Sequence, residues 1–181
     1  EAALTEYGRI LEQKSRILKD RYENPALLEI LPEYNARLCQ VGALLISYRA
    51  RFYDSLEKVA AQYHNQFSGG CEEFSLSYKT VSTVKDPFAS VQELQEALQE
   101  HLQRHYRAEL ESSQCLTGPH KDDFAVLLDG VSLKAFGSQG QTRTAAISLK
   151  LAQRELMKRE SGQEPVLLLD DVLSELDPGR Q

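Results

Sequence analysis

Near its C-terminal end the chain reads Pro165-Val166-Leu167-Leu168-Leu169-Asp170-Asp171-Val172-Leu173-Ser174-Glu175-Leu176-Asp177. The apolar run from Val166 to Leu169 predicts a buried strand, since strands buried on both faces read as continuous apolar sequence. Asp170 and Asp171 sit where that strand ends, and open α/β sheets present ligand-handling groups at the carboxyl ends of their strands. Asp170 is placed to hold magnesium through water, because magnesium in nucleotide sites keeps several of its waters. Asp171 is placed to orient or deprotonate an attacking water. An acidic helix cap after a buried strand is the alternative reading of the same residues. No G-x-x-x-x-G-K-[ST] phosphate loop occurs in the sequence.

Upstream, Ser138-Gln139-Gly140-Gln141-Thr142-Arg143 lies between a strand pattern and a helix pattern. A hydroxyl residue and a glycine at a helix entrance leave backbone N–H groups free, and the helix dipole adds positive potential there. Gly140 permits close approach of a phosphate. In isolation the same residues are an ordinary helix cap. Their order gives them weight: Ser-x-Gly-Gln, one helix, an apolar strand ending in Asp-Asp, then Ser-x-x-Asp.

Composition narrows the class. At 181 residues and 41% hydrophobic content the chain has room for one or two domains with a real core. The net charge of −6 gives no global nucleic-acid signature, although a local basic face stays open. Cys39, Cys71 and Cys115 form no CxxC spacing and suit reduced thiols in a cytoplasmic protein. No apolar run approaches a membrane span and no signal peptide opens the chain. Glu1 at the start, and an end just past Asp177, suggest a fragment of a longer protein.

Periodicity predicts the elements. Leu4, Tyr7, Leu11 and Leu18 form the stripe of a helix over 2–22, with Lys14 interrupting it. Asn24-Pro25 opens a short helix that Pro32 ends. A long helix follows, its stripe running Tyr34, Leu38, Val41, Leu45, Tyr48, Phe52, Leu56, Val59, Tyr63 and Phe67 in partly heptad spacing. Ser68-Gly69-Gly70 ends it, and the first and third helices are expected to pack antiparallel. Phe74, Leu76 and Tyr78 alternate as a strand. Ser90 caps a helix to about Ser112 with Val91, Leu94, Leu98, Leu102 and Tyr106 on one face. Residues 124–128 and 131–136 are the strands of a hairpin around Asp129-Gly130. A helix over 145–158, with Met157 among its buried residues, leads to the acidic strand. The fold class is therefore α/β: a helical, coiled-coil-like arm over 1–67 joined to a mixed-sheet unit over 68–181.

The ordered motifs resemble the signature, Walker B strand and D-loop of ABC-type ATPases. Leu116-Thr117-Gly118-Pro119-His120-Lys121-Asp122-Asp123 is similar to the Gly-Pro-His-Arg-Asp-Asp motif of the bacterial RecF family. Leu11 to Ser15, Gly42 and the Arg49-to-Phe52 stretch fit the same family's arm. The chain departs from the general ABC pattern in three places. Asp171 stands where most ABC ATPases carry Glu, Gly137 replaces the leading Leu of the signature, and Gln139 replaces a Gly. Lys121 replaces Arg in the Gly-Pro-His motif, where a bidentate contact is not conservatively replaced.

The resemblance implies part of an ABC-type head, lacking its phosphate-loop portion and so unable to hydrolyse ATP alone. The full-length protein would be a slow ATPase using ATP and Mg2+. Its heads would form an ATP-dependent homodimer with two ATP molecules sandwiched between them. Ser138, Gln139 and Gly140 would meet the partner's nucleotide, Gln141 and Arg143 would support that loop, and Asp177 would face the partner. The resemblance also implies binding of gapped DNA and single-strand–duplex junctions, RecO and RecR as partners, and help in loading RecA. It carries roles in DNA replication, recombinational repair and the SOS response. A non-enzymatic helical module and the head of an SMC- or Rad50-type ATPase are the alternatives.

Three weaker features complete the reading. His101 and His105, with Glu100 and Glu109 near, suggest a metal pair less than a solvated helix face, because no third ligand is specified. His120 suits a structural hydrogen bond as well as a functional one. Arg9, Lys14, Arg16, Lys19, Arg21, Arg49 and Arg51 would line a DNA cleft through phosphate contacts, or be charges on solvated helices.

Overall fold

The computed structural model describes residues 1–168. In chain order the α-helices and strands are α1 (Ala2–Asp20), α2 (Leu31–Ser68), β1 (Phe74–Lys79), α3 (Val91–Ser112), β2 (Asp123–Leu128), β3 (Val131–Ser132), α4 (Leu133–Phe136) and α5 (Gln139–Ser161), with 3-10 helices at Pro25–Glu29 and Pro119–Lys121. They form two compact units. The first holds Glu1–Arg51 and Lys79–Asp123; the second holds Phe52–Tyr78 and the described residues from Phe124 onward.

In the first unit α1 and α2 pack antiparallel, as expected. Tyr7 and Ile10 meet Leu38, Val41 and Leu45, while Ile17 and Leu18 meet Leu31 and Tyr34. Asn24-Pro25 does open a short 3-10 helix, Pro25–Glu29, but it ends before Pro32. Pro32 lies in the first turn of α2, where a missing N–H breaks no intrahelical bond. Lys14 does interrupt the apolar stripe of α1, yet it stays on the buried face. It is wholly buried and paired with the equally buried Glu109 of α3 at 2.6 Å. The outer stripe residues Leu4, Tyr48, Phe52 and Tyr106 are exposed. A helix of 3.6 residues per turn drifts off a seven-residue repeat, so a long heptad stripe does not stay on one contact line. Gly42 lets α2 approach closely: a Cβ there would stand 3.2 Å from both Leu98 Cδ1 and Pro119 Cδ.

The second unit packs the rest of α2 and α5 against a three-stranded sheet of order β1-β2-β3. Leu56, Val59, Ala60, Phe74, Leu128, Leu133, Ala145 and Ala152 form its core. The pair β2–β3 is antiparallel, with Leu127 opposite Ser132 and Leu128 opposite Val131. Asp129 and Gly130 both have positive φ, as the favoured two-residue hairpin turn requires. The return strand is shorter than expected. Leu133-Lys134-Ala135 are good helix formers, and Gly137 N–H closes one helical turn on Leu133 O at 2.8 Å. Conversely, α5 begins six residues earlier than its apolar pattern indicates, because Ser138 caps it. Met157 near its end is half exposed rather than buried.

Residues 164–168 form neither helix nor strand, and Val166 and Leu168 are 86% and 89% exposed. A strand of a parallel sheet is buried by neighbours on its flanks and faces. Among the described residues no strand pairs with this segment.

Candidate functional site

Ser138 is the N-cap of α5, and its Oγ accepts the Gln141 N–H at 3.2 Å. Gln141 Oε1 accepts the Ser138 N–H at 2.9 Å, completing a reciprocal capping box. Two of the unpaired donors at the helix start are satisfied in this way. The N–H groups of Gln139 and Gly140, in the same first turn, have no acceptor within the helix. Ser138 and Gln139 are exposed, and Gly140, Gln141 and Arg143 are half-buried. The five residues singled out from sequence therefore share one helix start, where oriented N–H groups and the helix dipole favour an anion.

Sterics account for Gly137, which stands where the resemblance to an ABC signature expects a leucine. A Cβ there would lie 2.5 Å from the backbone oxygen of Leu133, so only glycine fits between α4 and the cap. Phe136, just before it, is 79% exposed. Beneath the turn, Gln141 Nε2 donates to Glu72 Oε1 at 3.0 Å, and Glu72 Oε2 meets His64 Nε2 at 2.9 Å. Glu72 and His64 are invisible to sequence reasoning, since neither belongs to a motif or a periodic stripe.

Asp170, Asp171 and Asp177 lie outside the described residues. The described lead-in, Pro165, is tied to α5 by Arg154, whose Nε donates to Pro165 O at 3.2 Å.

The Gly-Pro-His motif is a structural junction within the first unit. His120 Nε2–H donates to Cys115 O at 3.0 Å, so its Nδ1 accepts the Tyr7 hydroxyl at 2.7 Å. Both rings are neutral in this arrangement. Burial holds His120 below the ordinary imidazole value and lifts the Tyr7 phenol far above its own. Glu109 Oε1 accepts the backbone N–H groups of Leu116 and Thr117 at 2.7 and 3.2 Å, while Oε2 takes Lys14. Arg49 bonds Pro119 O and reaches Asp122 at 3.0 Å. Gly118 has φ +127° and lies against the Tyr7 hydroxyl, with no room for a Cβ. Lys121, the departure from Arg, is exposed.

The same geometry thins the basic face. Lys14 and Arg49 serve the junction. Arg21 is buried, binding Leu18 O, Leu110 O and Ser113 Oγ at the ends of α1 and α3. Arg16 pairs with Glu12, whereas Arg9, Lys19 and Arg51 are exposed. His101 bonds Thr117 Oγ1 at 2.8 Å and stacks on His105 at 4.0 Å. Among the described residues no group of three or more His, Cys, Asp or Glu is placed to hold a metal. Burial, then the neighbouring His105, lowers the pKa of His101. Burial pushes the Cys39 thiol up to about 11. No helix among the described residues is long and apolar enough to cross a membrane.

No family model matches the chain. It is 42% identical over 184 aligned residues to the DNA replication and repair protein RecF of Listeria welshimeri, an alignment covering 98% of this chain and 48% of that protein. The RecF of Ruminiclostridium cellulolyticum is 35% identical over 178 residues, covering 98% and 48%. A solved structure of the recombination mediator protein RecF-ATP in the RecFOR pathway superposes with a TM-score of 0.88 at 31% identity, covering 98% of this chain and 47% of that one. The corresponding RecF-ATPrS structure gives 0.87, also at 31% identity, covering 97% and 46%. The chain thus spans about half the length of the curated relatives it matches. With identity at this level across nearly all of its residues and the same fold as two RecF structures, the chain belongs to the RecF family.

Proposed function

We propose that the full-length protein is an ATP-dependent DNA-binding protein of recombinational repair, in which the turn at Ser138 closes on the nucleotide of a second subunit. The observation that carries this is the geometry of the α5 start: a glycine-bearing first turn with unpaired N–H groups, preceded by an exposed cap. Exposed Phe136 beside that polar turn suits a subunit interface, where aromatic residues are enriched. Relatives named for DNA replication and repair, and a RecF structure described with ATP, support the substrate class.

In this reading residues 1–67 act as the arm and 68–181 as the signature-to-Walker B part of the head. Ser138 Oγ and the Gly140 N–H approach the partner's γ-phosphate, with Gln139 beside them. Gln141 and Arg143 support the turn from behind. Asp170 holds magnesium, Asp171 positions water, and Asp177 faces the partner. ATP supplies the charged group that joins the heads, and hydrolysis releases gapped or junction DNA. RecO and RecR are the expected partners in loading recombinase, in the cytoplasm. DNA phosphate contacts fall to exposed Arg9, Lys19 and Arg51 rather than to the buried Lys14 and Arg21. The 181-residue chain alone turns over no ATP, since it carries no phosphate loop.

Ser138→Arg in the full-length protein tests the reading. The bulky cation fills the space of the partner's phosphate, so ATP no longer drives dimerisation in sedimentation velocity. Unchanged ATP-dependent dimerisation by this variant would refute it.

A further inference from the structure

Gln141 faces two ways. Its Oε1 accepts from Ser138 N at 2.9 Å and its Nε2 donates to Glu72 at 3.0 Å. An ionised carboxylate only accepts hydrogen bonds, so Glu72 decides which end of the amide points where. With the amide reversed, oxygen would oppose carboxylate and NH2 would oppose the Ser138 N–H, and the capping box would open. Glu72 is itself fixed. It is 11% exposed, and its second oxygen takes the Nε2–H of His64 at 2.9 Å.

His64 is fully buried on α2 against Phe74, and its Nδ1 has no hydrogen-bond partner. An apolar residue would fill this position without an unsatisfied nitrogen. What the imidazole supplies is the N–H on Glu72. All four residues, His64, Glu72, Ser138 and Gln141, lie in the second unit.

We infer that Glu72 is a positioning residue for the signature turn: it fixes the Gln141 amide that shapes the Ser138 cap, and its bond to His64 anchors that turn to α2. This rests on the reading in which Ser138 meets a partner's nucleotide. In this assignment Glu72 acts on the site through Gln141 and not by contact with the nucleotide. Its loss therefore slows turnover in the dimer without weakening ATP binding to the monomer.

A residue swap in the full-length protein tests the assignment. Gln141→Glu sets two carboxylates at hydrogen-bonding distance, and kcat for ATP turnover is expected to fall ~10-fold or more with monomer ATP affinity unchanged, the range of coupling between contacting groups. Adding Glu72→Gln rebuilds the bonds to His64, Ser138 and position 141 with the amide and the carboxylate exchanged. His64 Nε2–H then donates to the amide oxygen introduced at position 72. The NH2 of that amide donates to the carboxylate introduced at position 141, which still accepts from Ser138 N. The double variant is expected to recover to within ~3-fold of the parent, with the recovery in kcat and not in melting temperature alone. A double variant no more active than Gln141→Glu overturns the inference. If Ser138→Arg instead leaves ATP-dependent dimerisation intact, the underlying reading fails, and the assignment of Glu72 falls with it.

Discussion

In the junction from Thr117 to Asp122 the marked side chains turn inward. His120, Thr117 and Asp122 bond Tyr7, His101 and Arg49, and Gly118 is required by contact with a tyrosine hydroxyl. In the turn from Ser138 to Arg143 the leading residues face solvent, and the helix start leaves donors unpaired. Both stretches look equally motif-like as sequence. Burial separates them: one uses its polar groups to hold three helices and a loop together, the other leaves backbone donors unpaired at an exposed turn.

Substitutions should therefore break the two regions in different observables. The largest stability effect belongs to the junction. Glu109→Ala strands the buried Lys14 ammonium and two backbone N–H groups, so urea unfolding should show a loss of about 3–5 kcal/mol. Gly118→Ala adds a strained backbone, itself costing about 1–3 kcal/mol, to the clash with Tyr7. By contrast, Ser138→Ala costs only about 1 kcal/mol, the value of one helix cap. It should nevertheless reduce ATP-dependent dimerisation strongly.

Acid should also distinguish them. His101 and His120 are held below the usual 6.5 by burial, so below that pH the unfolded chain binds protons that the folded chain does not. Stability is then constant above about pH 6.5 and falls as the pH drops toward the folded values. Melting temperature against pH should show this slope, and His120→Gln should flatten it. The smallest effect is expected at Gly42. Gly42→Ala presses Leu98 and Pro119 apart by a few tenths of an ångström, but alanine gains about 1 kcal/mol of helix propensity, so the net change should stay under about 1 kcal/mol.

Much of the architecture is legible in the sequence. The Ser90 and Ser138 caps, the Asp129-Gly130 hairpin and the Gly-Gly stop each have a local cause that acts wherever those residues occur. What escapes a local reading is long-range. Lys14 breaks an apolar stripe in α1, and Glu109 sits just beyond the apolar stripe of α3. The two defects are one ion pair joining residues 95 positions apart. A charge on an apolar stripe, matched by an opposite charge on another, is the signal available. Glu72 and His64 offer none, because their role depends on where Gln141 arrives. The apolar run before Asp170 reads as strand, yet Val166 and Leu168 are exposed here, since burial of such a run depends on neighbouring strands.

The central claim is that the Ser138 turn acts on a nucleotide held by another subunit. Mixing two inactive full-length variants, Ser138→Arg and Asp171→Asn, tests it most directly. In a mixed dimer with shared sites, both lesions fall on one nucleotide and the other site is intact. Magnesium-dependent ATP turnover should therefore reappear on mixing. A mixture as inactive as its two components would contradict the account.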